Sequence, residues 1–166
     1  IWGGSLAEIE HTLRVGVRAE HAQTRLSQMP AFGRDRILDA RQISDVTEYT
    51  LSISAARNRL SPDAAAAARG GAVYEAQCAI CHGPSGAGDR SVGAPSLNDD
   101  LWLYGGSREE IRRQIETGRG GVMPAWEQRF DAGTLRALAF YVHEMGGGEP
   151  DLPAPAQSAP TPQPLD

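Results

Sequence analysis

The residues best suited to chemistry stand together in one pentapeptide, Cys78-Ala79-Ile80-Cys81-His82, which holds the only two cysteines of the chain. Two thiols three positions apart, with a histidine directly after the second, form the attachment pattern of a c-type haem. The thiols add to two vinyl groups, and the imidazole of His82 is placed to bind the iron. A second axial ligand prepares the iron for reversible electron transfer, and a thioether in that position raises the potential relative to harder ligands. Within the same stretch of chain the candidate is Met123, in Val122-Met123-Pro124. Pro124 restrains the residue before it to an extended backbone, which steadies the thioether.

A C-x-x-C pair also occurs as a disulfide, a redox dithiol or half of a zinc site. Zinc would need further ligands, and the chain offers no more cysteines and only three other histidines. A thioredoxin-like dithiol needs a βαβ context, and none is visible. A disulfide or metal staple in a non-redox module stays as a reading of another class. Neighbouring residues favour haem. Pro95, in Gly93-Ala94-Pro95-Ser96-Leu97, is placed to offer its carbonyl to the far nitrogen of His82 and fix its tautomer. Gly70 and Tyr74 lie eight and four residues before Cys78. The glycine lets the helix carrying the cysteines cross closely over the final helix, which would put Tyr74 near Leu138 and Tyr141. Trp102, Tyr104 and Trp126 are expected at the haem edge or in the core. Met145 is expected to pack on the final helix, His11 and His143 to be structural or surface residues, and His21 to be exposed.

The elements that must position these groups repeat along the chain. Trp2-Gly3-Gly4-Ser5 matches Tyr104-Gly105-Gly106-Ser107, and Met29-Pro30-Ala31-Phe32 matches Met123-Pro124-Ala125-Trp126. The offset is 102 at the first block (Gly3 to Gly105) and 94 at the second (Met29 to Met123), so the first copy has eight extra residues, around 17–28. Ser5 with Glu8 and Ser107 with Glu110 have capping-box spacing. Ile9/Leu13 and Ile111/Ile115 mark an apolar stripe on each helix, and Gly16 and Gly118 are natural stops. A second helix starts near Asp39 and near Asp131. In the second copy its inward face is Leu135, Leu138, Ala139 and Val142. Ser61-Pro62-Asp63 reads as a further helix start, with Ser61 at the cap.

The spacing therefore predicts an all-α chain. Residues 1–54 read as the rear of a first haem domain whose own C-x-x-C-H is absent. Residues 55–63 read as a linker, 64–147 as a second domain with the attachment box, and 148–166 as a disordered Pro/Ala-rich tail. The first residue is Ile1, so the chain is expected to be a piece of a longer precursor. No run approaches the ~18 apolar residues of a spanning helix. The net charge of −5 argues against nucleic acid as a partner.

Taken together, Gln28-Met29-Pro30-Ala31-Phe32-Gly33-Arg34-Asp35, Cys78-Ala79-Ile80-Cys81-His82-Gly83, Gly93-Ala94-Pro95-Ser96-Leu97 and Leu103-Tyr104-Gly105-Gly106 resemble the diheme subunit of cbb3-type cytochrome c oxidases. The resemblance covers most of residues 1–147. It implies tandem class I cytochrome c domains, the first incomplete here, on the periplasmic side of a bacterial inner membrane behind an N-terminal anchor that this chain lacks. One haem c would be attached in this chain and a second in the full-length protein. The chain would not be an enzyme by itself. It would take electrons from a cytochrome donor and pass them to the oxygen-reducing subunit, with the other oxidase subunits as partners. The resemblance also implies that the axial methionines are exchanged between domains: Met29 would bind the haem on Cys78 and Cys81, and Met123 the other. Spacing alone leaves both methionines open. The alternatives are the cytochrome subunit of a periplasmic dehydrogenase and a free diheme carrier.

Overall fold

The structure is a computed structural model and describes residues 3–55, 57–146 and 148–150. Ile1, Trp2 and most of the segment expected to be a disordered tail lie outside the described residues. Among those described, the chain is helical, with isolated backbone bridges and no strand. The helices are α1 (Leu6–Val15), α2 (Ala40–Ile53), α3 (Arg57–Leu60), α4 (Ala64–Gln77), α5 (Ala79–His82), α6 (Arg108–Thr117) and α7 (Ala132–Gly146). None of them is long and apolar enough to cross a membrane.

Local chemistry sets most of these limits. Ser5 and Glu8 form a reciprocal capping box at the start of α1, and Ser107 and Glu110 form the same box at α6. Each arrangement satisfies amide groups that a helix start leaves without partners. Gly16 and Gly118 end these helices at φ 70° and 56°, a region open to glycine without steric cost. Asp39 with Gln42 caps α2 in the same way. The start of α4 differs from expectation. Its cap is Asp63 instead of Ser61, because the Asp63 carboxylate accepts the Ala66 amide at 2.8 Å. The Asp63 amide in turn donates to the buried Glu48 carboxylate at 2.8 Å.

The packing crosses the repeat. α4 lies along α2, α6 lies against α2, and α1 packs with α7. At Gly70 a Cβ would stand 2.0 Å from the Asp45 carbonyl oxygen and 2.9 Å from the Val46 Cα, so only glycine permits this approach. The close crossing expected at Gly70 exists, but its partner is α2 and not the final helix. Tyr74 accordingly meets Tyr49, with ring centroids 4.9 Å apart, while Tyr141 is 63% exposed. Only residues 54–63 separate α2 from α4, and so short a link favours antiparallel neighbours. On α7, Leu135 and Ala139 are buried as expected, but Val142 is 45% and Met145 70% exposed, so neither packs inward.

The two Met-Pro-Ala-aromatic segments follow the same exchange. The Phe32 amide donates to the Ile115 carbonyl, and the Gly33 amide to that of Glu116. In the matching positions of the other copy, the Trp126 amide donates to Leu13 and the Glu127 amide to Arg14. A Cβ on Gly118 would meet the Met29 carbonyl oxygen at 2.4 Å, and one on Gly16 would meet that of Met123 at 2.3 Å. Each methionine segment is thus strapped to the first helix of the opposite copy. The principal core joins Phe32, Leu38, Ile43, Val46 and Leu51 of the first copy to Tyr74, Ile111 and Ile115 of the second.

Candidate functional site

Cys78 ends α4, and the chain turns at once into α5, a single turn that presents the rest of the pentapeptide. The Cys78 amide still bonds the Tyr74 carbonyl at 2.8 Å, and the His82 amide returns to the Cys78 carbonyl at 2.9 Å. The next loop folds back under the histidine. The Gly88 amide donates to the His82 carbonyl, and the Leu97 amide to that of Gly86. This brings the Pro95 carbonyl oxygen to 2.9 Å from His82 Nδ1. A carbonyl only accepts, so Nδ1 holds the ring proton and Nε2 is left with its lone pair. Burial pushes the His82 imidazole below its ordinary value, and the bond to Pro95 offsets part of that. The ring is therefore the neutral form that a metal requires.

Both cysteines are free thiols. Burial, with a smaller contribution from Cys81, pushes Cys78 up to about 11, which keeps it protonated. Tyr74, buried between α2 and α4, donates its hydroxyl to the Gly83 carbonyl at 2.7 Å and braces the turn after the histidine.

Cys78, Cys81, His82, Pro95, Tyr74, Trp102 and Met29 all line one cavity of about 220 Å³. Met123 and Trp126 are not part of its lining. Met123 pairs through its backbone with Val17, and Trp126 stacks on Phe130 with centroids 5.6 Å apart. Met123 instead lines an adjoining hollow with Val17, which shares Arg18, Ser27, Gly93 and Tyr104 with the first cavity. The methionine that shares a cavity with His82 is thus the one from the first copy.

Two observations test whether a haem fits this cavity. Its donors are sulfur and imidazole nitrogen, the set that suits haem iron. The Trp102 indole N–H is buried in the lining without a partner among the described residues, so the site has a place for a polar acceptor. The residues fit the group. Sequence reasoning missed Gln114, whose side-chain amide lies 3.9 Å from Met29 Sδ and 3.0 Å from the Arg119 carbonyl. Its position three residues after Ile111, on the buried side of α6, was the available signal. His21 was also misjudged. Its side chain is only 13% exposed, because Nε2 donates to Glu127 at 2.8 Å. Nδ1 accepts the Gln23 amide.

Residues 65–142 match the family model described as cytochrome c oxidase, cbb3-type, subunit III. The chain is 46% identical to the cbb3-type cytochrome c oxidase subunit FixP of Bradyrhizobium sp. (strain ORS 278), over 90% of this chain and 50% of that protein. It is 46% identical to subunit CcoP of Azospirillum brasilense, over 90% of this chain and 52% of that protein. It is 44% identical to subunit CcoP of Cereibacter sphaeroides, over 90% and 50%. The chain thus spans about half the length of the curated relatives it matches.

Proposed function

We propose that this chain is an electron-transfer subunit of a cbb3-type cytochrome c oxidase, with haem c attached at Cys78 and Cys81; the match of residues 65–142 to subunit III of such oxidases and the similarity to FixP and CcoP subunits support this reading. His82 Nε2 and Met29 Sδ are the groups that would hold its iron. The observation that carries this reading is the meeting of Cys78, Cys81, His82 and Met29 in one cavity. Bound haem c supplies an iron centre that takes up and releases single electrons.

The residues of the chain orient and shelter that centre. Pro95 holds the proton on Nδ1 of His82 and so aims Nε2 as the ligand. Phe32, Tyr74, Ile111 and Ile115 form a wall that excludes water. Met29 is delivered by a segment strapped to α6, so the ligand pair spans the two copies. The reciprocal strap at Leu13 supports Met123 as a residue that would hold a second haem. Held by both His82 and Met29, such a centre would suit electron transfer. Oxygen reduction belongs to a partner subunit, the electrons come from a cytochrome donor, and the protein works at the periplasmic side of a bacterial inner membrane.

Two observations test this reading. A haem stain that survives denaturation is expected from protein made with the c-type attachment machinery. The full-length subunit is expected to co-purify with a copper- and haem-containing oxidase. Protein without the stain overturns the haem assignment. A stained protein that never associates with the oxidase would instead favour a dehydrogenase subunit or a free carrier.

A further inference from the structure

A haem brings two carboxylates as well as an iron, and the cavity is unusual in charge for this protein. The chain has 21 acidic residues against 16 basic ones. Yet the lining of the cavity contains two arginines, Arg18 and Arg119, and no Asp or Glu. It also contains the buried, partnerless indole N–H of Trp102. The Gly106 backbone lies so close to that indole that a Cβ would stand 2.5 Å from its Cδ1, which pins the ring in place.

Arg18 belongs to the segment that is longer in the first copy, yet it lines the cavity whose cysteines belong to the second. It holds an uncommon left-handed backbone, φ 52°. Its guanidinium is fixed by donation from Nε to the Gly121 carbonyl at 2.6 Å and from Nη1 to the Ser27 carbonyl at 2.5 Å. Neither acceptor is charged, and among the described residues no carboxylate pairs with the guanidinium. Arg119 is engaged differently, with its guanidinium 4.7 Å from the centre of the Tyr104 ring. A rigid, unpaired guanidinium beside an unpaired indole N–H suits a carboxylate.

We propose that Arg18 and the Trp102 indole anchor the haem carboxylates, so that the extra segment of the first copy completes the haem site of the second. This inference rests on haem occupying the cavity. The anchors also set the potential. A cation held on a carboxylate favours the reduced iron, because the added electron is then less repelled.

The test uses the full chain matured with haem and reads the midpoint potential by spectroelectrochemical titration. R18Q is expected to shift the equilibrium about tenfold toward the oxidised iron, about 59 mV for one electron. R18K is expected to recover at least half of that shift. W102F keeps an aromatic side chain but removes the indole N–H together with its five-membered ring, and is expected to shift the same way by a few-fold. If R18Q attaches haem and keeps the parent potential, or if R18K shifts as far as R18Q, the proposal is overturned. R18Q also loses two loop hydrogen bonds; should it fail to take haem, W102F decides, and an unchanged W102F potential overturns the proposal. A parent chain without covalent haem would instead overturn the reading beneath it.

Discussion

Gly70→Ala tests the crossing of α4 over α2 with one methyl group. The added Cβ would stand 2.0 Å from the Asp45 carbonyl oxygen, 2.5 Å from its carbon and 2.9 Å from the Val46 Cα. All three are backbone atoms, so no side chain can rotate away. The helices must part by more than about 1 Å or tilt, which belongs near the upper end of the about 1–3 kcal/mol typical of overpacking. Alanine returns about 1 kcal/mol through its better helix propensity. The net loss is about 2 kcal/mol. At about 2–4 °C per kcal/mol for a chain of this size, the midpoint falls by about 4–8 °C. Gly71→Ala is the internal control. Its Cβ would meet only the edge of the Tyr49 ring, 3.3 Å away, which can yield. Propensity then dominates, and the variant is expected to match or exceed the parent. Thermal unfolding followed by far-UV circular dichroism compares the two. A Gly70→Ala protein as stable as Gly71→Ala would refute the close α2–α4 crossing.

Two further outcomes concern pH. Burial, then the neighbouring Cys78 and Tyr49, pushes the Tyr74 hydroxyl up from 10.0 to about 12. The neutral phenol thus stabilises the fold fully below pH 10, and that contribution, about 3 kcal/mol at its limit, is lost as pH rises to about 12. Tyr74→Phe should lose this alkaline step in urea titrations while paying about 1 kcal/mol at neutral pH for the bond to Gly83. The Arg69 guanidinium beside Asp45 holds that carboxyl below its usual 3.8, so its contribution is present above that value and lost as pH falls through the lowered one. Asp45→Asn should be less stable at neutral pH and show a flatter acid limb; an unchanged acid limb would show that the Asp45–Arg69 pair does not contribute.

What was legible in the sequence is what is local. The attachment box, both Ser-x-x-Glu caps and the glycine stops each depend on residues three or four apart. The bond from His82 to Pro95 spans 13 residues and was still readable, because it needs only a carbonyl from a turn. The pairing of helices was not readable from the repeat. Val46 and Leu138 occupy matching positions, as do Tyr49 and Tyr141, so within-copy and exchanged packing present the same pattern. The short link between α2 and α4 was the physical cue, and the repeat outweighed it. His21 was misplaced because the residue that buries it, Glu127, is 106 positions away. Arg18 and Gln114 escaped notice for a similar reason. Each serves a cavity whose cysteines lie on another segment.

The central claim is that Met29, and not Met123, completes the iron site on Cys78, Cys81 and His82. Met29→Ala and Met123→Ala, each in the haem-bearing chain, separate the two by the weak near-infrared sulfur-to-iron absorption of the ferric protein. The account predicts that the band disappears in Met29→Ala and persists in Met123→Ala. A band lost only in Met123→Ala would contradict it, and so would a band unaffected by either change.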